Sequence, residues 1–232
     1  MPQGNLPLTF FPDIFPPSEI RILGAGRFGR LAVERLKPRF PDAVFSITDR
    51  NGPKVEPIAS QLGIRYEIED AVQSLTRSTL SESIWLIPAV PVHLGFEWLM
   101  VELEQSGEVQ RPAVPEAVSR MVPNPITSPS GTLYASFATF ICPDYCSEPS
   151  DICTHTGEAR PGNLFEVFEA VRAEEMEVAV LRSWQLAPGV GGYPVRSLNA
   201  LLSRIRERPG KYLVATSCRC HGVMDALEWK RK

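Results

Sequence analysis

The sequence predicts an α/β protein built on a Rossmann-like, doubly wound parallel sheet, followed by a C-terminal α/β extension that contains a cluster of cysteine and histidine residues. Three observations support this prediction. Short apolar runs alternate with segments of helical periodicity in the first half of the chain. A GxGxxG turn follows the first apolar run, and all five cysteines lie in the second half. Alternating strands and helices favour a parallel sheet covered by helices.

The first β-α-β unit is the most clearly defined part of the sequence. Residues 20–23 form an apolar strand, and the turn Gly24-Ala25-Gly26-Arg27-Phe28-Gly29 follows it directly. Apolar residues then recur at helical spacing until two prolines end the helix. A second predicted strand covers residues 44–48 and ends at Asp49.

Further alternating units continue this pattern. We predict helices over residues 53–62, up to residue 76, and over 94–104, with strands over 64–68, 84–90 and 118–122. The resulting five strands are predicted to be parallel. In the second half, predicted strands cover 133–141, 177–184 and 211–216, and predicted helices cover 164–172 and 195–206.

The predicted organisation has three parts: a Pro-rich leader over residues 1–17, a dinucleotide-binding domain over 18–125, and a cysteine-containing part over 126–232. Periodicity leaves open whether the last part extends the first sheet or builds a second one. The glycine-rich run at residues 188–192 is expected to be a flexible connection, with an anion cradle as the alternative.

Composition limits the classes of partner. The chain has 232 residues, of which 44% are hydrophobic and 22% charged, as expected for a globular protein of one or two domains. Its 24 basic and 27 acidic residues give a net charge of -3 without a basic stripe, so nucleic acid is not an expected partner. We expect a small-molecule substrate or a redox partner protein, and a homo-oligomer stays open.

The expected location is the cytoplasm. The N-terminal segment lacks the positive and uninterrupted apolar regions of a secretory signal. The best membrane candidate, residues 84–101, contains Pro88, Pro91, His93 and Glu97, so a buried strand and helix are expected there instead. Direct membrane insertion is therefore not expected.

The glycine turn predicts a dinucleotide site. Gly24 permits the tight turn, Gly26 leaves room for a pyrophosphate, and Gly29 lets the helix approach the strand. The free N–H groups at the start of the helix favour an anion. Arg27 and Phe28, inside the turn, are included among the predicted cofactor-binding residues.

The acidic residue at the end of the second strand bears on which dinucleotide is bound. Asp49 lies 20 residues beyond Gly29, where a carboxylate accepts hydrogen bonds from ribose hydroxyls. This position favours NAD. Arg50 follows directly and offers a partner for a 2′-phosphate, so NADP stays open.

Three segments of the first half resemble a known family. ILGAGRFGRLAVERL, ITDRN and WLIPAVPVH are similar to the nucleotide-binding regulatory domains of potassium channels and transporters, and more loosely to Rossmann dehydrogenases. The resemblance covers about residues 20–105. It implies a nucleotide-contacting role for Gly24, Gly26, Gly29 and Asp49, and it does not extend to the cysteine-rich half.

The cysteines suggest a metal site. They are Cys142, Cys146, Cys153, Cys218 and Cys220. Two histidines, at positions 155 and 221, lie within two residues of a cysteine, and such thiolate and imidazole sets suit soft transition metals. The spacing lacks the Cys-x2-Cys knuckle of zinc ribbons, whereas a Cys-Pro pair at residues 142–143 favours an iron–sulfur cluster over zinc.

Two other interpretations of the cysteines stay open. Thiols close together without metal would suit redox chemistry, and buried thiols also pack as small apolar groups. In the metal interpretation, the first three cysteines and one of Cys218 and Cys220 complete a four-thiolate set, and one cysteine is left over.

His93 is the predicted catalytic residue, because it follows the fourth strand, close to where dinucleotide folds place the reactive ring. These features together predict an NAD(P)-binding redox protein with a cysteine-ligated metal site, with NAD(P)-dependent oxidoreductase as the candidate enzyme class. The alternative is a non-catalytic regulator that senses nucleotide and metal or redox state.

Overall fold

The computed structural model describes residues 16–77 and 80–232, so the predicted leader lies almost wholly outside the described residues. In chain order, the helices and strands are β1 (Glu19–Leu23), α1 (Arg27–Leu36), β2 (Val44–Asp49), α2 (Gly52–Leu62), β3 (Arg65–Ile68), α3 (Ala71–Thr76), β4 (Ile84–Pro88), α4 (Leu94–Glu104), β5 (Gly107–Gln110), α5 (Glu116–Ser119), β6 (Ile126–Thr127), β7 (Leu133–Ser136), α6 (Leu164–Ala170), β8 (Met176–Arg182), β9 (Trp184–Ala187), β10 (Val190–Pro194), α7 (Val195–Glu207), β11 (Gly210–Ser217) and β12 (His221–Arg231).

The strands form two sheets, which differ in how their strands pair. The first sheet has the order β3-β2-β1-β4-β10-β9. Its first four strands are parallel to one another. Strand β10 pairs antiparallel with β4, and β9 pairs antiparallel with β10. The prediction of an α/β fold with parallel strands in the first half is therefore confirmed, whereas the all-parallel five-stranded sheet is wrong.

The predicted fifth parallel strand over residues 118–122 is wrong, because the short helix α5 ends at Ser119 and residues 120–122 form a turn and a bend. Val118 and Val122 are both buried, and this i, i+4 spacing fits one helical face as well as it fits a short strand. The place beside β4 is taken by β10, in the glycine-rich run that we expected to be a flexible connection. That expectation is also wrong.

The second sheet is mostly antiparallel and has the order β6-β7-β12-β11-β8. Its long central strand, β12, pairs with β11 along one edge and with β7 and then β5 along the other. This strand is not among those predicted from the sequence. Gly222 and Asp225 interrupt its apolar pattern, and both residues lie in the half of β12 that pairs with β7 or just beyond it.

Neither sheet is confined to one side of residue 125. Strand β5 comes from the first half of the chain and pairs with β12 in the second sheet. Conversely, β9 and β10 come from the second half and complete the first sheet. The ranges 18–125 and 126–232 therefore do not separate the two sheets.

The two sheets share a core between them. Helices α4 and α7 supply nearly half of the central apolar cluster, which also includes Leu23 and Leu86 from the first sheet and Val214 and Leu227 from the second. A Cβ on Gly95 would lie 3.0 Å from a methyl carbon of the Leu181 side chain, so α4 packs closely on the second sheet. None of the helices in the described part of the chain is long and apolar enough to span a bilayer.

Candidate functional site

The glycine turn has the geometry of a tight strand-to-helix connection. Gly24 has φ +118, and a Cβ there would lie 2.4 Å from the carbonyl oxygen of Ala89. A Cβ on Gly29 would lie only 1.8 Å from the carbonyl oxygen of Gly24. A Cβ on Gly26, by contrast, meets no atom within 4 Å among the described residues. The turn therefore leaves open space at the N-terminus of α1, where backbone N–H groups are free.

Asp49 braces this turn from the end of β2. Its Oδ2 accepts a hydrogen bond of 2.7 Å from the backbone N–H of Ala25, and its Oδ1 accepts one of 2.9 Å from that of Asn51. Each carboxylate oxygen has a second lone pair available for a further donor such as a ribose hydroxyl. The Arg50 Nε lies 3.7 Å from Asp70 Oδ2, so this guanidinium extends toward the start of α3.

The other two residues of the turn reach the cysteine-containing loop. The Arg27 guanidinium pairs with the carboxylate of Asp144, two residues after Cys142. Phe28 is 57% exposed. Both side chains line a cavity of about 440 Å³, here called the shared cavity. The same cavity is lined by four cysteines, Cys142, Cys146, Cys218 and Cys220, and by His221.

Four cysteines also surround a second cavity, here called the thiol cavity. It measures about 230 Å³ and is lined by Cys142, Cys146, Cys153 and Cys220. Cys218 lines only the shared cavity. The structure therefore brings together the three cysteines of the first group with Cys220 rather than Cys218, a choice that the sequence analysis left open.

All five thiols are free. The Sγ of Cys142 lies 3.5 Å from Nε2 of His221, and His155 stacks on Phe140 at the wall of the thiol cavity, with ring centroids 4.4 Å apart. Across residues 16–77 and 80–232, no three His, Cys, Asp or Glu side chains are grouped closely enough to hold one metal ion. The thiols instead lie around the cavity volume.

Burial controls the ionisation of most of these thiols. Burial raises the pKa of Cys220 to about 11 and raises that of Cys218 well above its usual value. Burial also raises the pKa of Cys142, helped by the neighbouring thiols of Cys146 and Cys153. The pKa of Cys153 is lowered, because it accepts hydrogen bonds from Thr156 and His155. Since ligand thiols bind as thiolates, a metal at this cavity would have to displace their protons.

Arg160 is the positive group of the thiol cavity, and sequence reasoning missed it. Its Nε and Nη2 are buried with no hydrogen-bond partner among the described residues. Its charge acts to lower the pKa values of Cys142 and Cys220 against the larger effect of burial. A guanidinium placed here stabilises thiolate charge. No spacing rule would have selected this residue, because it lies beyond the last cysteine of the first group.

His93 lies away from these cavities, in a buried network between the two sheets. Its side chain is 2% exposed, its Nδ1 lies 2.9 Å from Asp225 Oδ2, and its Nε2 lies 2.9 Å from the Thr216 hydroxyl. Because a carboxylate only accepts, Nδ1 donates to Asp225. Both ring nitrogens are thus engaged, which favours a structural link over proton transfer to a ligand.

Asp225 is the centre of this network. Its Oδ1 accepts hydrogen bonds of 2.8 Å from Arg111 Nη2 and from the Thr132 hydroxyl. Burial acts to raise the pKa of Asp225, but hydrogen bonds from His93, Arg111 and Thr132 outweigh burial and lower it below its ordinary value. One signal in the sequence was available: Asp225 is the lone charge within an otherwise apolar stretch of β12.

The fold and cavities define a two-sheet α/β protein in which a glycine turn faces a cysteine-lined cavity. Residues 95–230 match the family AF_1314_C, described as "Uncharacterized protein, C-terminal domain", and the chain belongs to this family. An "Uncharacterized protein" of Archaeoglobus fulgidus is 29% identical over 220 residues, which covers 89% of this chain and 98% of that protein. No solved structure matches the chain.

The glycine turn gives a first prediction, based on two substitutions three residues apart. Gly29→Ala places a Cβ against a backbone carbonyl, so we expect α1 to separate from β1 at a cost of about 1–3 kcal/mol or more. Gly26→Ala meets open space and loses only the cap preference, about 1 kcal/mol at most. Urea unfolding of both variants measures the difference, and equal losses would contradict this packing.

The buried network gives a second prediction. Asp225→Ala leaves His93 and Arg111 without their shared acceptor, so we expect the free energy of unfolding to fall by about 3–5 kcal/mol. Glu228→Ala is the matched control, because the same strand there holds a surface ion pair with Lys230, worth about 0–1 kcal/mol.

The same network has a pH signature. Because folding lowers the pKa of Asp225, its contribution is present above the unfolded pKa of about 4 and is lost as pH falls through the lower, folded pKa. As pH falls from 6 to 2, the free energy of unfolding should therefore decrease less steeply in Asp225→Ala than in wild type. Urea unfolding across this pH range measures these two acid limbs. Parallel acid limbs would show that folding does not lower the pKa of Asp225 and would contradict this prediction.

Proposed function

We propose that this chain is an NAD(P)-binding redox protein whose cysteines ligate a metal centre beside the nucleotide. One observation supports this proposal above the others. The shared cavity is lined both by Arg27 and Phe28 of the glycine turn and by four cysteines. A nucleotide at the turn and a centre at the thiols would therefore open onto one volume, where a small-molecule substrate or a redox partner protein has access to both.

The nucleotide half of the proposal rests on topology and on the open turn. Strand β1 lies between β2 and β4. The chain adds β2 and β3 on one side of β1 and then β4 on the other side, so the strand order reverses beside β1. Parallel α/β sheets bind ligands at the carboxyl ends of strands at such a point. The open space at Gly26, the N-terminus of α1 and the carboxylate of Asp49 all lie there.

The metal half rests on the donor set and on the cavity. Thiolates suit zinc and iron–sulfur clusters. A single zinc ion draws its sulfurs to about 2.3 Å from the metal, whereas a cluster separates its four thiolates by an inorganic core. Cys142, Cys146, Cys153 and Cys220 around about 230 Å³ favour the cluster, with zinc as the alternative. Arg160 would offset the negative charge of the thiolate set.

The chemistry follows from this arrangement. A bound nicotinamide ring supplies or accepts a hydride, and an iron–sulfur centre supplies or accepts single electrons or holds a substrate atom. The protein's own contribution is to hold the two groups at one cavity, with Phe28 as an apolar wall and the Arg27–Asp144 ion pair fixing the turn to the cysteine loop. Free thiols throughout fit a reducing compartment such as the cytoplasm.

The second candidate function is a non-catalytic regulator that senses nucleotide together with metal or redox state. The Arg27–Asp144 ion pair favours it, because a nucleotide phosphate at the turn would compete for Arg27 and so act on the cysteine loop. Turnover of NADH with an artificial electron acceptor separates the two functions: steady turnover supports the oxidoreductase, and nucleotide binding without turnover supports the regulator.

The nucleotide site gives a third prediction. NADH is expected to raise the melting temperature. At a concentration of a hundred times its dissociation constant, a ligand that binds only the native state adds about 2.7 kcal/mol to the free energy of unfolding. Gly26→Val fills the pyrophosphate position and should abolish the shift, and Asp49→Ala should weaken it and reduce discrimination against NADPH. Gly210→Val is the matched control, since its Cβ also meets no atom within 4 Å. Absence of a shift with any adenine nucleotide would end this part of the proposal.

The metal site gives a fourth prediction. After anaerobic purification, Cys→Ser changes at positions 142, 146, 153 and 220 are each expected to lower metal content and stability together. Cys218→Ser is the matched control and should leave the metal in place, because Cys218 does not line the thiol cavity. Iron, zinc and acid-labile sulfide analysis gives the measurement. Protein with no iron or zinc and five freely titratable thiols would refute a metal site.

A further inference from the structure

A third cavity lies next to the shared cavity and is lined by arginines. It measures about 210 Å³ and is here called the arginine cavity. It contains Arg39, Arg182 and Arg219, each from a different segment of the chain. The arginine cavity and the shared cavity have three lining residues in common, Glu148, Ser183 and Gln185, so a molecule that fills one cavity is adjacent to the other.

Arg182 is held between two aromatic rings. Its guanidinium carbon lies 3.5 Å from the ring centroid of Trp184 and 4.2 Å from that of Phe165. Stacking of this kind occupies the faces of the guanidinium and leaves its N–H edge for a planar or tetrahedral oxyanion. Within residues 16–77 and 80–232, no carboxylate lies within ion-pair distance of Arg182.

Of the other two arginines, Arg39 adds an unsatisfied donor and Arg219 adds a fixed positive charge. The Nε of Arg39 is buried and has no hydrogen-bond partner in the described part of the chain. Arg219 donates from Nη1 to Asn163 Oδ1 over 2.6 Å, which fixes its side chain. Buried donors without acceptors are costly in a folded protein, so a site that gathers them favours an incoming acceptor.

Two carboxylates in the same wall each accept a hydrogen bond from the backbone. Glu148 Oε1 accepts a hydrogen bond from the backbone N–H of Arg219, and Asp151 Oδ1 accepts one from that of Ile152. Three guanidinium groups thus face two carboxylates. Burial, and then the charge of Arg219, lower the pKa of Arg182, and the smaller opposing effects of the glutamates at positions 148, 166 and 169 do not cancel them. The positive charge of the cavity is therefore incompletely balanced.

We propose that the arginine cavity binds the oxyanion, a carboxylate or a phosphate, of a small acidic ligand. Assigning this ligand as the substrate rests on the proposed function. Arg219 lies between Cys218 and Cys220 in the chain, and both thiols line the shared cavity. An acid anchored at Arg182 therefore directs its other end past Ser183 and Gln185 into the volume shared by the glycine turn and the cysteines.

The experiment measures anion binding by the full chain without any nucleotide. Inorganic phosphate and succinate are titrated separately by calorimetry, with sodium chloride at matched ionic strength as the reference. Arg182→Gln removes the stacked charge, and Arg39→Gln removes the buried donor without disturbing the stack. Arg120→Gln is the matched control, because that arginine pairs with Glu116 on α5 outside the cavity.

We expect saturable binding of phosphate, succinate or both by wild type and by Arg120→Gln, and at least tenfold weaker binding by Arg182→Gln and Arg39→Gln. The probe that binds more tightly identifies the ligand group as phosphate or carboxylate. If Arg182→Gln fails to fold, as judged by circular dichroism, Arg39→Gln alone decides. No saturable binding by wild type, or equal binding by wild type and Arg39→Gln, would overturn the site.

Two further measurements separate this proposal from the proposed function. Displacement of bound phosphate by NADP+ but not by NAD+ would assign the cavity to the nucleotide 2′-phosphate and overturn the substrate assignment. Failure of wild type to bind NADH, with anion binding intact and sensitive to Arg182→Gln, would overturn the nucleotide proposal and leave the anion site standing.

Discussion

The buried carboxylate of Asp225 is the interaction that fixes α4, the helix that follows β4, against the second sheet. It accepts hydrogen bonds from His93 at the start of α4, from Arg111 after β5 and from Thr132 before β7. Thr216 of β11 completes the network through the other nitrogen of His93. A carboxylate removed from water is tolerated only when such donors surround it. The polar contacts therefore specify one way of docking the start of α4, which follows β4 of the first sheet, on the second sheet, where apolar packing alone would tolerate several.

The candidate site follows from this docking. With β11 fixed against α4, its carboxyl end delivers the Cys218-Arg219-Cys220 segment to the side of the molecule where α1 begins. The loop after β7 then fits between them: Arg27 and Arg35 both bind Asp144, and a Cβ on Gly189 would lie 1.9 Å from the Asp144 carbonyl oxygen. Three segments distant in the sequence thus converge on the shared cavity through ordinary packing and ion pairing.

Much of the first sheet was predictable because its signals are local. The strand, glycine turn, helix and second strand over residues 20–49 each have an unambiguous period or a steric requirement. The signals failed where pairing depends on distant residues: residues 118–122 fit two periods, and the glycine-rich run at 188–192 becomes β10 only because β4 offers it an edge. Strand β12 was hidden by the same Asp225 whose partners lie up to 132 residues away.

The site was predictable in its residue types and not in its grouping. Spacing identified the five cysteines, but only the fold shows that Cys220, not Cys218, lines the thiol cavity with the first three. Periodicity left open whether the cysteine-containing part extends the first sheet, and the fold answers this, since β7 and β11 belong to the second sheet. The arginines of the third cavity have no sequence signature, because arginine on the surface is common and its burial is a property of the fold.

Each sheet contains strands from both halves of the chain, and this determines when each sheet can form during synthesis. During synthesis, β1 to β4 emerge first, but their sheet lacks its last two strands until residues 184–194 follow. The second sheet waits longer, because β12, its central strand, comes after all its neighbours. Such long-range pairing raises contact order and slows folding. The nascent chain therefore leaves the edge of β4 unpaired from the synthesis of Pro88 until that of Val190, and an unpaired strand edge of this kind is open to aggregation in that interval.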